Sequence, residues 1–274
     1  MDILEYTFFQ NAVVGILLAG VACALVGTYV VARRLVFIGG GITHASFGGI
    51  GIGVYFGLNP VLSAMAFSVL SAFGIQWMSR RGGVREDSAI AMFWTLGMSI
   101  GILCSFLTPG FSSDLPSFLF GSILTISAAD LWLLAAVTMV VLVVFALFYR
   151  QILAVAFDPV FARSRHLPVD FIECLMLALT AVTIVSTLRI AGVVLALSLL
   201  TVPQMTACLF SFSFKRIAAW SIVIGWVDSF LGLAMSYCLN VPSGASIIFT
   251  SVLIYFAAKA IKTIVTELNK REIA

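Results

Sequence analysis

Charge is what this chain has least of. Asp, Glu, Lys and Arg make up 10% of its 274 residues and hydrophobic residues 62%, whereas a soluble globular domain carries about 25% charged residues. With a mean hydropathy of +1.15, a soluble domain is excluded. Other absences narrow the field. No HExxH cluster or similar metal-ligand or nucleophile group occurs, so nothing speaks for a membrane enzyme. No GxxxxGK[ST] phosphate loop occurs, and the longest hydrophilic gap, roughly Arg150 to Asp170, is too short for a nucleotide-binding fold. The five cysteines, Cys23, Cys104, Cys174, Cys208 and Cys238, show no CxxC spacing and lie in apolar sequence. They read as small buried hydrophobes rather than redox or metal groups. A net charge of +3 without a basic cluster on a soluble face gives no nucleic-acid surface.

What the chain has in abundance is long apolar runs. A helix needs roughly 20 mostly apolar residues to cross about 30 Å of hydrocarbon, and nine stretches qualify or nearly do: 7–32, 38–57, 60–78, 89–107, 130–149, 171–188, 191–211, 217–238 and 245–262. The second is thick with glycine and the seventh is interrupted by Pro203. Threaded alternately, they put 14 of the 15 Lys and Arg residues on one face, and only Arg189 on the other. Basic residues are retained in the cytoplasm, so that face is expected inside, with the N-terminus (Asp2, Glu5) outside and the C-terminus cytoplasmic. The first span is too long for a signal-peptide core and lacks a basic segment before it, so it reads as a retained helix. The fold class expected is all-α: one polytopic transmembrane domain over residues 1–274.

Charged residues inside apolar spans are costly and mark candidate sites. His44 lies in Gly39-Gly40-Gly41-Ile42-Thr43-His44-Ala45, where a neutral imidazole could ligate a cation or carry a proton, or simply bond a backbone carbonyl. The glycines around it permit close helix packing or an irregular turn. Asp228, in the eighth span, either lines a path or pairs with a polar group on a neighbouring helix. Glu173 and Asp130 sit at span ends, where side chains reach water by snorkelling.

The hydrophilic segment Ala156 to Pro168 has a different character. Asp158 can cap a helix opened by Pro159, because its carboxylate accepts from orphan N–H groups and proline has no N–H to lose. The helix is expected to run to Leu167, before Pro168. Phe157 and Phe161, four apart, would share one face, with Arg163 and Arg165 pointing elsewhere. Such a helix could dock into a groove on a partner protein or rest on lipid headgroups.

Five blocks, in order along nearly the whole chain, resemble the membrane permease subunit of metal-ion ABC importers, the family that carries zinc, manganese or iron. They are Gly39 to Ala45, ending in His-Ala; Leu119-Phe120-Gly121-Ser122-Ile123-Leu124 with Asp130; Phe157-Asp158-Pro159 through Leu167-Pro168; Ala191-Gly192-Val193-Val194-Leu195 through Pro203 and Ala207; and Gly232-Leu233, Ser236-Tyr237 and Pro242-Ser243-Gly244-Ala245. The resemblance implies a type II ABC importer-like bundle in a bacterial inner membrane. It implies two copies forming the path, a separate cytoplasmic ATPase dimer that uses the ATP, and an external metal-binding protein. The divalent metal is substrate, with no resident cofactor. It makes 156–168 the coupling segment, with Asp158, Phe161, Ala162, Arg163, Arg165 and His166 against the ATPase, and His44 and Asp228 transient metal contacts. Two positions depart from the family pattern. Gly40 stands where an aspartate usually precedes the histidine by one helical turn, and His166 where a glycine usually precedes Leu-Pro. The rival expectation is a gradient-driven carrier or channel for cations, for which interrupted spans speak.

Overall fold

The structure, a computed structural model, describes residues 7–108 and 126–273. Ten helices follow in chain order: α1 (Thr7–Ala32), α2 (Val36–Tyr55), α3 (Pro60–Arg80), α4 (Glu86–Leu107), α5 (Ala128–Phe157), α6 (Pro159–Ser164), α7 (Val169–Leu199), α8 (Val202–Phe210), α9 (Phe214–Leu239) and α10 (Ser243–Ile273). No strand occurs among the described residues. Nine segments of these helices are long and apolar enough to cross a membrane, and they match the nine spans of the sequence in order. The Leu119–Leu124 block lies outside the described residues.

Small residues set the closeness of the packing. The glycine-rich α2 is unbroken and packs tightly on α3 and α4. At Gly49 an added Cβ would stand 2.6 Å from Ala64 Cα, and at Gly97 of α4 it would stand 2.5 Å from Ala45 Cα. Only a bare backbone permits such approach, which is how helices associate without a hydrophobic driving force between them.

The sixth and seventh crossings, Val169–Leu188 and Ala191–Phe210, are divided at Gly192, whose φ of 74° and ψ of 169° lie outside helical space. A residue with a Cβ is strained at that φ, and glycine is not. The seventh crossing is broken again between α7 and α8, where Pro203 has no N–H for the carbonyl of Leu199. Gln204 makes good the loss: its amide, fully buried, donates to Leu199 O at 3.0 Å and to Cys23 O of α1 at 2.9 Å. Interrupted helix is tolerated within a membrane where freed backbone groups find such partners.

The basic inter-helix segments gather at one end of the bundle. Arg33 after α1, Arg80 at the end of α3 and Arg163 of α6 meet acids at the start of α7. Lys215 of α9 lies over the Tyr149 ring of α5 at 5.0 Å, and Lys262 of α10 donates to the carbonyl of Leu209.

Candidate functional site

Two regions carry the predicted residues. The first is the face of α2 bearing Gly40 and His44, one helical turn apart. His44 is half-buried, and its ring stacks on Trp94 of α4 with centroids 4.0 Å apart and planes 5° from parallel. Stacking holds the imidazole plane, and Nδ1, itself buried, has no hydrogen-bond partner among the described residues. A Cβ built on Gly40 meets nothing within 4 Å, so the turn before His44 opens onto free space. Most of the neighbouring glycines, by contrast, face α3 or α4 and serve packing.

Asp228 is elsewhere. It is fully buried on α9, where Oδ2 accepts from Ser251 Oγ of α10 at 2.6 Å. The structure does not bring it to His44: α9 packs on α1, α8 and α10, whereas α2 packs on α4, α3 and α7. Among the described residues no group of three or more His, Cys, Asp or Glu side chains could hold a metal ion, and all five cysteines are free. Asp130 closes a capping box at the start of α5: its backbone N–H donates to Ser127 Oγ at 3.2 Å, and its carboxylate accepts from Ser127 N at 3.2 Å.

The second region is α6. Asp158 adopts an extended conformation (φ −146°, ψ 94°) that ends α5, and its Oδ1 accepts from Val160 N and Phe161 N at 3.0 and 2.9 Å. Pro159 then opens the short helix. Phe157 therefore belongs to α5, and the expectation that it shares one helical face with Phe161 is corrected: the extended cap separates them. The helix is also shorter than expected, ending at Ser164 rather than Leu167. His166 takes a left-handed φ of 56°, its N–H bonds Arg163 O at 3.0 Å, and Leu167 N bonds Ala162 O at 3.1 Å. This is a Schellman turn with histidine where glycine is favoured. Ala162 is fully buried. Phe157, Val160 and Phe161 are exposed by 64, 75 and 56%, and Arg165 lies 5.7 Å over the Phe161 ring.

Sequence reasoning misplaced Glu173. It does not snorkel to water but is 4% exposed, between Arg33 Nη2 at 2.7 Å and Arg80. Beside it, Asp170 accepts from Arg80 and from Arg163 of α6, each at 2.8 Å. The two arginine partners of Glu173 are visible in the sequence only as loop charges, 140 residues away in the case of Arg33.

Nine helical segments long and apolar enough to cross a membrane define a polytopic membrane protein. A profile of the ABC 3 transport family matches residues 5–262, and the chain belongs to that family. An uncharacterized membrane protein of Synechocystis sp. is 40% identical over 94% of this chain and 92% of its own length. The manganese transport system membrane protein MntC of Listeria monocytogenes is 31% identical over 93% of this chain and 91% of its own. Among solved structures, PsaBC from Streptococcus pneumoniae in complex with Fab superposes with a TM-score of 0.84 at 27% identity, covering 93% of this chain and 92% of that one. The chain is thus a polytopic membrane protein of the ABC 3 transport family.

Proposed function

We propose that this chain is the membrane path of an importer that carries divalent metal ions into the cytoplasm, driven by ATP hydrolysis on a separate ATPase dimer. Two copies form the path, and an external binding protein delivers the ion to its outer mouth. Manganese is the cargo to test first, because the Listeria relative bears that name; zinc and iron are its competitors. The basic end of the bundle faces the cytoplasm, by the retention of Lys and Arg on that side.

The observation that carries the reading is α6. A helix of six residues, capped at both ends and seated through a buried Ala162, exposes Val160 and Phe161 at the basic end, with Phe157 exposed just before its cap. Such a protrusion has no use in a carrier that works alone, and it suits a groove on a soluble partner. Within the path the ion must be held weakly, since a full cage of ligands would retain rather than pass it. One His44 imidazole from each copy supplies that kind of contact, with backbone and water completing the shell.

The test is ATP-dependent metal uptake by the chain assembled with its ATPase in liposomes, comparing wild type with the double variant Phe161→Ala, Arg163→Ala. Uptake that requires ATP, and is lost in the variant while the chain stays folded, supports the reading. The break between α7 and α8, inside the seventh crossing, favours the rival, a gradient-driven cation carrier; ion movement by the chain alone, indifferent to ATP, would establish it.

A further inference from the structure

The helices fall into two groups. One is α2, α3 and α4, in which α2 packs heavily on both neighbours; the other is α1, α5, α8, α9 and α10. Direct contact between the groups is slight, and α7 lies between them, packed on α2 and α3 from one side and on α1, α5 and α10 from the other. At its basic end α7 presents Glu173, and the two arginines that reach it come one from each group: Arg33 follows α1, and Arg80 ends α3. One turn earlier, Asp170 joins Arg80 to Arg163 of α6. A continuous chain of ion pairs therefore runs from α6, through Asp170, Arg80 and Glu173, to Arg33.

The setting gives this chain of charges room to move. A cavity of about 100 Å³ adjoins it, lined by Tyr29 of α1, Ile38 of α2, Gln76 of α3, Glu86 of α4 and Leu177 of α7. Around it the ends of both groups meet without filling the space. Apolar packing at such a junction would lock the groups together, whereas ion pairs can exchange partners: either carboxylate oxygen of Glu173 can follow one arginine as the other withdraws. The burial gradient has the same sense. Asp170, beside α6, has a side chain 74% exposed, and Glu173, at the junction, 5%. The outer link is free to yield to a partner and the inner one is held.

We infer that Asp170 and Glu173 are positioning residues for energy coupling, forming a relay that converts displacement of α6 by the ATPase into relative motion of the two helix groups about α7. The inference rests on the proposed function and adds to it where the force enters the bundle. Neither residue touches the metal.

The experiment measures metal taken up per ATP hydrolysed by the reconstituted complex, using Mn²⁺ as the probe, for wild type, Glu173→Gln, Asp170→Asn and Asp170→Glu. The relay requires Glu173→Gln to keep ATP hydrolysis within about twofold of wild type while uptake per ATP falls about five- to tenfold, the lower range of coupling between distant sites. Asp170→Asn falls in the same direction, and Asp170→Glu, which restores the charge, recovers the ratio. Unchanged ratios in both neutral variants overturn the inference. So does a parallel loss of uptake and hydrolysis at constant ratio, since that marks a cluster that only holds the fold. If Glu173→Gln does not assemble, the exposed Asp170 pair of variants decides. If the wild-type complex itself takes up metal without ATP, the importer reading fails first and the relay falls with it.

Discussion

His166 shows how a single residue can sit against its local geometry. The Schellman turn that ends α6 needs a left-handed residue, and a side chain there costs roughly 1–2 kcal/mol. His166→Gly relieves that strain, less the 0.5–1 kcal/mol or so of extra chain entropy that glycine loses on folding. We expect the variant to gain about 0.5–1 kcal/mol in unfolding of the detergent-solubilised protein and to transport at the wild-type rate; a loss of transport would give the imidazole a role of its own. The family preference for glycine at this place is thereby given a physical cause. Gly40 is the converse case, a glycine where the backbone asks for none. Since a Cβ there meets nothing within 4 Å, Gly40→Asp should assemble normally and set a carboxylate one turn from His44. Mn²⁺ binding by the chain should then tighten by about tenfold or more, the scale on which even outer-shell groups act. Titration of the purified variant against wild type checks this, and equal affinities would remove the His44 face from the path. His44 itself could be found in the sequence because a lone imidazole in an apolar run is conspicuous; its stacking on Trp94, fifty residues on, could not.

Among the helices, those with local signals were legible and those with distant partners were not. Asp158-Pro159 marked the start of α6 because cap and helix lie within four residues. Its early end at Ser164 is not legible in the same way, because Pro168 sets only an outer limit and the left-handed His166 comes before it. The seventh crossing was suspect for its proline, yet it is kept by Gln204, whose partner on α1 is 181 residues distant in sequence. Gln204→Leu strands the Leu199 carbonyl in an apolar interior, and we expect a loss of about 1–3 kcal/mol, read as a lowered midpoint of unfolding in mixed micelles. If Gln204→Met, which keeps the length and volume of the side chain but supplies no donor, is equally destabilising, the hydrogen bond rather than the side-chain volume is responsible. The glycine-rich α2, the other doubtful span, proved to be the most closely packed helix, because what weakens an isolated helix is what lets two neighbours approach it.

For the whole molecule, the alternation of basic gaps predicted one shared end, and the ion pairs joining Arg33, Arg80 and Arg163 to the start of α7 bring those gaps together. In a background without the five native cysteines, Arg81→Cys is expected to react with a membrane-impermeant maleimide only from the cytoplasm, and Leu58→Cys, at the opposite end of α3, only from outside. Reversed labelling would invert the orientation. By itself the sequence determined the membrane class, the nine crossings, the end at which charge collects and the cap of α6. Each of these follows from composition or from residues a few positions apart, and the cost of placing charge or unpaired backbone in hydrocarbon leaves little choice. Only the tertiary structure decided that Asp228 faces Ser251, that Glu173 is buried between two arginines, and that α7 divides the bundle in two. Those depend on which helix lies beside which, and among uniformly apolar helices neighbours are chosen by shape and by a few buried polar contacts that no window of sequence contains.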